Sequence, residues 1–236
     1  GMSMMRKAML TSCVLIAYAA LGQFHTLDTD WTGARTAAAD IENPLDNHEP
    51  AGEITDAEAI KTYASMRDSL LRNYASSLVK AASEYANWHQ FNNSPYVSKQ
   101  HGDRLVNDYG NEKAAGYGDF ENGEVLPVGA VIAMDSFKII PSCLPLAITV
   151  DAVEPGPLFV MEKMEPGFNS GSGDWQFSMI SPDGALVGQT LGIGHDKVQF
   201  CADCHQSVSQ EQDWLFFLPH KYRREDQRLA SDTTTQ

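Results

Sequence analysis

Five short segments with the composition of β-strands follow one another between residues 128 and 192, and this series restricts the fold more than any other feature of the sequence. Pro, Gly, Asn or Asp residues separate the segments, as expected where strands end in turns. The segments span residues 128–140, 146–153, 157–165, 174–181 and 185–192. The core of the chain is therefore predicted to be a β-sheet.

The fourth and fifth segments predict how the strands pair. Trp175, Phe177 and Met179 alternate with polar residues in the fourth segment, which is the pattern of a half-buried strand. Ser-Pro-Asp-Gly at 181–184 then places Pro second and Gly fourth, as a type I turn prefers. The two segments are expected to form a hairpin, and the sheet is expected to be small and antiparallel.

A helical region is predicted ahead of the sheet. Thr55 and Glu58 have the spacing of an N-terminal capping box, and no Gly or Pro follows until Pro95. Apolar residues recur near helical spacing between residues 55 and 90, so an amphipathic helix or helix pair is expected to cover the sheet. Residues 92–124 are polar and contain several glycines, and they are predicted to form loops with one short helix. The predicted fold class is α+β.

The N-terminal region has the pattern of a secretory signal. A short basic stretch precedes an apolar run at residues 8–21, and small residues suited to signal peptidase follow. The run is shorter than the roughly 20 apolar residues that span a bilayer, although a retained anchor is the alternative. Residues 1–22 are interpreted as a signal peptide, and the protein is expected to be periplasmic or otherwise exported. Residues 23–53 are predicted to be an irregular lead-in, and residues 225–236 a disordered tail.

The net charge of −14 restricts the partners of this chain. Nucleic acids and anionic lipids are bound through clustered Lys and Arg, so neither is expected as a partner. An acidic protein of this kind suits an exported location and a basic redox partner protein.

Cys201-Ala-Asp-Cys204-His205 has the spacing at which c-type haem is attached. In that chemistry two thiols form thioethers with the porphyrin, and the adjacent imidazole binds the iron. A zinc site would need three or four protein ligands, and no second Cys or His pair occurs at metal-finger spacing. A disulfide framework would need more cysteines, and a thioredoxin-like pair would follow the first strand of a βαβ unit. The motif favours one covalent haem c on Cys201 and Cys204, with His205 as the metal ligand.

The sequence from residue 127 to about residue 222 resembles the cytochrome P-460 family. The likeness rests on PVGAVIAMDSF at 127–137, GPLFVMEKMEPGFN at 156–169, GDWQFSMISPDG at 173–184, CADCH at 201–205 and DWLFFLP at 213–219. This family contains small exported c-haem proteins, among them hydroxylamine oxidases and the β-sheet cytochromes c-prime. The resemblance implies a haem domain at 125–224, with a small curved antiparallel β-sheet and flanking helices, after a helical extension at 54–124. It also implies a five-coordinate haem bound by His205 and, in many members, a homodimer.

One position departs from the family pattern. In the cytochromes P-460 proper, a lysine on the strand that corresponds to GAVIAMDSF cross-links to the haem, and Met134 stands at the aligned position. Methionine cannot form that bond, and Lys138 lies about 13 Å further along the strand. The departure weakens the expectation of hydroxylamine oxidation and favours gas binding or another redox role. The Met134 thioether is also a candidate for a weak sixth ligand, as in an electron carrier.

Further residues near the haem are expected mainly on the strands. The candidates for an apolar distal wall, each of which also suits a plain sheet core, are Met134, Phe137, Phe159, Met161, Trp175, Phe177 and Met179. A carboxylate beside the iron would accept a proton from a substrate, and the candidates are Asp135, Glu162 and Asp174. The histidine candidates for a further iron ligand are His195, His89 and His101. The candidates to pair with haem propionates are Lys163, Lys221 and Arg223.

Taken with the resemblance, these residues predict an exported monohaem c-type cytochrome with redox or ligand chemistry on hydroxylamine or nitric oxide at an open iron site. The alternatives are an electron-transfer cytochrome with a filled sixth position and a haem protein that binds nitric oxide without turnover. Because Met134 replaces the cross-linking lysine, the sequence leaves open whether the protein is an oxidoreductase of the hydroxylamine-oxidising type.

Overall fold

The computed structural model describes residues 54–116, 123–140, 153–208 and 210–224. The predicted signal peptide, lead-in and tail lie outside these residues, as does all but the last residue of the strand predicted at 146–153. Within the described ranges, no helix combines the length and the apolar character needed to cross a membrane.

Eight strands in the described part of the chain form one sheet, in which every pairing is antiparallel. They are β1 (His89–Gln90), β2 (Tyr96–Ser98), β3 (Arg104–Gly110), β4 (Val131–Ile139), β5 (Val153–Pro155), β6 (Leu158–Lys163), β7 (Trp175–Ile180) and β8 (Leu186–Gln189). The strand order is β1-β3-β4-β6-β7-β8, with β2 also pairing with β3 and β5 with β4. The architecture is α+β, as the sequence predicts.

β2 and β3 lie within the region predicted to form loops, so that prediction is wrong for residues 96–98 and 104–110. All seven residues of β3 are buried, although the strand contains Arg, Asn and Asp. Asn107 donates to Asp135 on β4 at 3.0 Å, and Asp108 accepts a hydrogen bond from Tyr96 on β2. A strand buried on both faces, with its polar side chains paired inside the protein, lacks the alternation that reveals a half-buried strand.

The predicted helical region forms two helices, α1 (Asp56–Tyr74) and α2 (Lys80–Glu84). Thr55 caps α1, because its side chain accepts from the backbone N–H of Glu58 while the Glu58 carboxylate accepts from the N–H of Thr55. The buried faces of both helices share one core with the sheet. The predicted capping box and the predicted cover of the sheet are therefore confirmed.

The sheet separates two cores. On β4, Val131, Ala133 and Phe137 face the helices, whereas Ile132 and Met134 belong to the opposite face. This division follows from the period of two along a strand. The helix-side core includes α1 and α2, and the opposite core includes the C-terminal segment and the Cys-x-x-Cys-His motif.

A group of tyrosines surrounds one carboxylate in the helix-side core. Tyr63 and Tyr85 donate hydrogen bonds to Asp135 at 2.5 and 3.0 Å, and the hydroxyl of Tyr109 lies 2.8 Å from that of Tyr63. Asn107 supplies a third donor to Asp135 at 3.0 Å. Burial nevertheless raises the pKa of Asp135 to about 6.

A buried ion pair anchors the C-terminal segment to the opposite face. Lys163 on β6 lies 2.5 Å from Asp213, which is fully buried. The indole N–H of Trp175 donates to the Asp213 carbonyl at 2.8 Å, and the backbone N–H of Leu126 donates to the Asp213 carboxylate at 3.0 Å. These contacts fix the start of residues 213–219, which complete the pocket described below.

β7 and β8 form the predicted antiparallel hairpin. The Gly184 N–H donates to the Ser181 carbonyl at 2.9 Å and closes the predicted turn. The chain then passes through a 3₁₀ turn at His195–Lys197 into α3 (Gln199–His205), the short helix that carries the Cys-x-x-Cys-His motif. Because α3 lies against β7, the hairpin brings the motif onto the sheet face opposite the helices.

Candidate functional site

One pocket brings the Cys-x-x-Cys-His motif together with the sheet, and it holds about 1040 Å³ of empty space, including the part open to solvent. Its floor is the sheet face opposite α1, lined by Ile132, Met134, Phe159, Met161 and Phe177. The helical wall consists of α3 with residues 215–216, and the polar wall consists of β2, β3 and the turn between them.

The two walls stand at opposite edges of the floor. In the strand order, β2 and β3 lie at one edge, whereas α3 lies against β7 at the other. Neighbouring strands lie about 4.8 Å apart, so β3 and β7, three spacings apart, are separated by roughly 14 Å. A flat group that stands over β4 and β6 would meet the helical wall on one side and the polar wall on the other.

The helical wall presents two cysteines to the pocket. Cys201 and Cys204 are three residues apart on α3, so they lie on one helical face. The two cysteines are not joined by a disulfide. Burial raises the pKa of Cys201 to about 12 and also raises the pKa of Cys204. Both side chains are therefore neutral thiols at physiological pH, the group from which thioether bonds to a porphyrin are made.

His205 is held in one tautomer and one orientation. Its Nδ1 lies 2.8 Å from the carbonyl oxygen of Trp214, so Nδ1 carries the proton and Nε2 keeps its lone pair. The imidazole also contacts the rings of Phe177 and Phe216, each at a centroid distance of 5.1 Å. Burial lowers the pKa of His205 to about 4, which keeps the ring neutral. A histidine that binds a metal through one nitrogen commonly donates its other N–H in this way.

Four of the residues predicted for the apolar distal wall line the pocket, namely Met134, Phe159, Met161 and Phe177. Met134 and Phe159 are cross-strand neighbours, and so are Met161 and Phe177. These side chains form the floor beneath both walls, and therefore do not form a separate wall opposite His205.

Phe137, Trp175 and Met179, the other candidates for the distal wall, are buried but do not line the pocket. Phe137 faces the helices and stacks on Tyr63 at 5.9 Å between ring centroids. Trp175 is covered by the C-terminal segment, to which its indole donates. Nothing in the sequence of a single strand shows which of its buried side chains a later segment will cover.

The three carboxylates predicted beside the iron also lie elsewhere. Asp135 is surrounded by its donors in the helix-side core. Glu162 is the cross-strand neighbour of Val131, whose side chain belongs to the helix-side core, so Glu162 lies on the face of the sheet away from the pocket. Asp174 accepts backbone hydrogen bonds from the turn at residues 167–169, at 3.1 and 2.8 Å. None of the three lines the pocket: the face of the sheet accounts for Asp135 and Glu162, and the turn at residues 167–169 accounts for Asp174.

The carboxylate that does line the pocket is Asp108 on β3, which was not predicted. It is 5% exposed; the Tyr96 hydroxyl donates to its Oδ2, and its backbone N–H donates to Asn92 at 2.9 Å. Burial raises the pKa of Asp108 to about 7, although the hydrogen bond from Tyr96 opposes the shift. No local signal marked this residue, because β3 lacks the alternation of a half-buried strand.

Other polar groups share the wall with Asp108. His101, one of the predicted histidines, lines the pocket; its Nδ1 lies 2.8 Å from the Ser98 hydroxyl, and its ring lies 4.8 Å from that of Phe159. Gln100 Oε1 is buried and has no hydrogen-bond partner among the residues that the structure describes. The polar wall thus contains an acceptor that the described residues leave unsatisfied.

The remaining candidates for the iron or the propionates do not line the pocket. They are His89, His195, Lys163, Lys221 and Arg223. Lys163 is buried in its ion pair with Asp213, and Arg223 donates to the carbonyl of Leu218 at 2.6 Å. His195 is exposed on its 3₁₀ turn.

The pocket residues fit a c-type haem. A neutral imidazole with its Nε2 lone pair supplies an iron ligand, and two thiols on one helical face supply the attachment groups. The apolar floor suits the porphyrin ring. The unpaired oxygen of Gln100 indicates that the polar wall faces a bound group, because buried polar atoms are rarely left without a partner.

Comparison with known proteins agrees with this assignment. The family model for Cytochrome P460 matches residues 82–217, which include the strands of the sheet, α3 and the segment that binds His205. Comparison with curated proteins gives no match. The chain belongs to the cytochrome P460 family, whose members are c-type haem proteins.

Proposed function

We propose that this protein is an exported monohaem c-type cytochrome that binds a small nitrogen species, hydroxylamine or nitric oxide, for redox or ligand chemistry. Hydroxylamine chemistry occurs in the family to which the chain belongs. The observation that carries the proposal is the division of the pocket, with His205 and two thiols at one edge of the floor and a polar wall at the other. A haem held by the helical wall would leave the polar wall to contact a small ligand.

The residues of the helical wall would hold the cofactor. Cys201 and Cys204 would form the thioether bonds, and His205 would bind the iron through Nε2. When bound, the haem supplies a redox-active iron with one further position for a ligand. The Trp214 carbonyl keeps His205 in the tautomer that binds a metal, and the apolar floor excludes water from the buried side of the site.

Covalent attachment is tested by a denaturing gel stained for haem. Full-length protein produced with the haem-attachment machinery should retain the stain, and the double variant Cys201→Ala with Cys204→Ala should lose it. Cys143→Ala is the matched control, because it removes a cysteine outside the motif and should leave the stain unchanged. Stain that persists in the double variant would contradict the assignment of these two thiols.

Ligand binding is tested by the absorption spectrum of the haem-loaded protein. Addition of hydroxylamine or nitric oxide should shift the Soret band in a saturable manner. A six-coordinate low-spin spectrum that does not respond to either compound would overturn the proposal of an open iron site.

The position of Met134 bears on which reaction follows binding. Met134 lines the floor, and no lysine lines the pocket in the described part of the chain. This supports ligand binding or another redox role over the oxidase chemistry that the resemblance associates with a lysine cross-link. A red-shifted ferrous Soret band of the kind that gave the family its name would contradict this interpretation.

Electron transfer with a filled sixth position is the second candidate, and one observation favours it. The Met134 thioether lines the pocket floor, and a thioether sulfur can serve as a weak ligand of haem iron. If Met134 is a ligand, the resting spectrum should be low-spin and Met134→Leu should convert it to a high-spin spectrum. An unchanged high-spin spectrum in both proteins would exclude this candidate.

Export, partners and assembly form part of the proposal. The signal-like pattern at residues 1–22 supports export, and the net charge of −14 supports a basic redox partner protein. The family resemblance supports a homodimer. Fractionation of the producing cells and analytical ultracentrifugation of the haem-loaded protein test the location and the oligomeric state.

A further inference from the structure

We propose that Asp108 is the ligand-binding residue of the pocket and that it selects small ligands carrying N–H or O–H groups, such as hydroxylamine, over ligands without hydrogen, such as nitric oxide. The inference rests on the proposed function, because it names the ligand class that the polar wall accepts.

The first argument is the position of Asp108 relative to the floor. Asp108 and Met134 are direct cross-strand neighbours on β3 and β4, and Met134 is in turn paired with Phe159 on β6. All three line the pocket. The carboxylate therefore stands where the polar wall meets the middle strands of the floor, and a small ligand beside this wall would contact it.

The second argument is that Asp108 is held in place before any ligand binds. Its backbone N–H donates to Asn92, whose side chain donates to Asn107 at 2.9 Å. The Tyr96 hydroxyl donates to Oδ2, and the Tyr96 ring stacks on Tyr222 at 5.0 Å with an interplanar angle of 17°. An acceptor fixed by its surroundings binds a donor without first having to be ordered.

The third argument is the contrast between the two buried carboxylates. Asp135 accepts from three side chains, Tyr63, Tyr85 and Asn107, and these use both of its oxygens. The side chain of Asp108 accepts only the hydrogen bond from Tyr96 within the described part of the chain. Asp135 is thus satisfied by the protein, whereas Asp108 keeps acceptor capacity for a ligand.

The fourth argument is that a second acceptor lies on the same wall. Gln100 Oε1 is buried without a partner among the described residues, and Gln100 lines the pocket with Asp108. A wall that offers two oxygen acceptors favours a ligand with hydrogen-bond donors. Hydroxylamine carries both N–H and O–H groups, whereas nitric oxide carries neither.

The experiment compares two ligands on the same haem-loaded, full-length protein. Hydroxylamine and nitric oxide are titrated against the ferric protein by stopped-flow absorption at pH 8, above the pKa of about 7 that burial gives Asp108. Asp108→Asn keeps the shape of the side chain but removes the carboxylate. We expect the affinity for hydroxylamine to fall about tenfold or more, because hydrogen bonds to ionised groups are the stronger ones, and that for nitric oxide to change less than about threefold.

Asp135→Asn is the matched control, because it changes a buried carboxylate on the neighbouring strand whose side chain does not line the pocket. It should leave the ratio of the two affinities unchanged. If Asp108→Asn lowers both affinities equally or neither, the selection of protic ligands by Asp108 is refuted.

Two further variants keep the inference testable if Asp108→Asn does not fold. Gln100→Leu removes the second acceptor, and Tyr96→Phe removes the hydrogen bond that positions the carboxylate. Each should lower the preference for hydroxylamine while the resting haem spectrum stays unchanged; an unchanged preference in both variants would overturn the inference. If the unmodified protein binds neither compound, the proposed function itself fails, an outcome that is distinct from binding without selection.

Discussion

The hydrogen bond between His205 and the Trp214 carbonyl connects the candidate iron ligand to the segment that closes the pocket. Asp213, the preceding residue, is buried and paired with Lys163 on β6. The tautomer and the orientation of the imidazole therefore depend on an ion pair that lies outside the pocket lining. Such outer contacts commonly tune the strength with which a histidine binds a metal.

The buried carboxylate of Asp135 should make the free energy of unfolding depend on pH. Burial raises its pKa from 3.8 to about 6 in the folded protein, so folding favours the protonated acid. Its contribution to stability is fully present below pH 3.8 and is lost as the pH rises through about 6. Because one pKa unit corresponds to about 1.4 kcal/mol, the loss is on the order of 3 kcal/mol.

Asp135→Asn should remove this part of the pH dependence. Burial also raises the pKa of Asp108, to about 7, so Asp108 should still make the stability of the variant fall as the pH rises. Urea unfolding of both proteins at several values between pH 4.5 and 7.5 measures the difference in unfolding free energy. The variant should gain stability relative to the unmodified protein as the pH rises. Parallel curves would show that Asp135 does not titrate as proposed.

The site residues that lie next to each other in the sequence could be predicted, whereas the residues brought together by strand register could not. Cys201, Cys204 and His205 are close in the chain, and their spacing specifies the chemistry. Whether Asp108 or Asp135 faces the pocket depends on which face of the sheet each occupies, and one residue of register exchanges the faces. Sequence composition carries no information on that choice when both faces are buried.

At the scale of elements, the turn between β7 and β8 also holds the end of α1. The Ser76 hydroxyl lies 2.7 Å from the Asn73 carbonyl and 3.4 Å from the carbonyl of Asp183 in the turn. Gly184 has φ +88°, and a Cβ on it would overlap the Asn73 carbonyl and the Ser76 hydroxyl. The turn of the hairpin that leads to α3 thus packs closely against the C-terminal end of α1.

Gly184→Ala should therefore cost more stability than the strain of a left-handed backbone at a non-glycine residue alone, because the added Cβ would also overlap its neighbours. Gly167→Ala is the matched control, because Gly167 has φ +93° and a Cβ added to it would meet no atom within 4 Å. We expect Gly167→Ala to cost about 1–2 kcal/mol from backbone strain, and Gly184→Ala to cost on the order of 2 kcal/mol more from overpacking. Urea midpoints of the two variants measure the difference, and equal costs would contradict the close contact of turn and helix.

The elements that the sequence predicted correctly are those with a local signature. α1 has a capping box, and β7 with β8 has alternation and a turn. β3 has neither, because its polar residues are buried, with Asp108 bonded to Tyr96 on β2 and Asn107 bonded to Asp135 on β4. The polar wall of the pocket was missed for the same reason, since it is built from β2, β3 and their turn.

At the scale of the whole molecule, the helices that precede the sheet belong to its core. The Cytochrome P460 match begins at residue 82, after α1. Even so, Tyr63, Leu70 and Tyr74 of α1 share one apolar cluster with Phe137 on β4 and Ile180 on β7. β4 and β7 place other side chains, Met134 and Phe177, in the pocket floor. The two sides of the sheet should consequently unfold together.

Leu70→Ala tests this coupling. Leu70 is 1% exposed in the helix-side core, so its truncation should cost about 2–5 kcal/mol. Leu78→Ala is the control, because Leu78 is 89% exposed and its loss should change the unfolding free energy by less than about 0.5 kcal/mol. Urea unfolding of the haem-loaded protein is followed by the Soret band, which reports on the pocket, and by far-ultraviolet circular dichroism, which reports on the helices. Leu70→Ala should lower both midpoints equally; a shift confined to the circular dichroism would show that α1 is a separate folding unit.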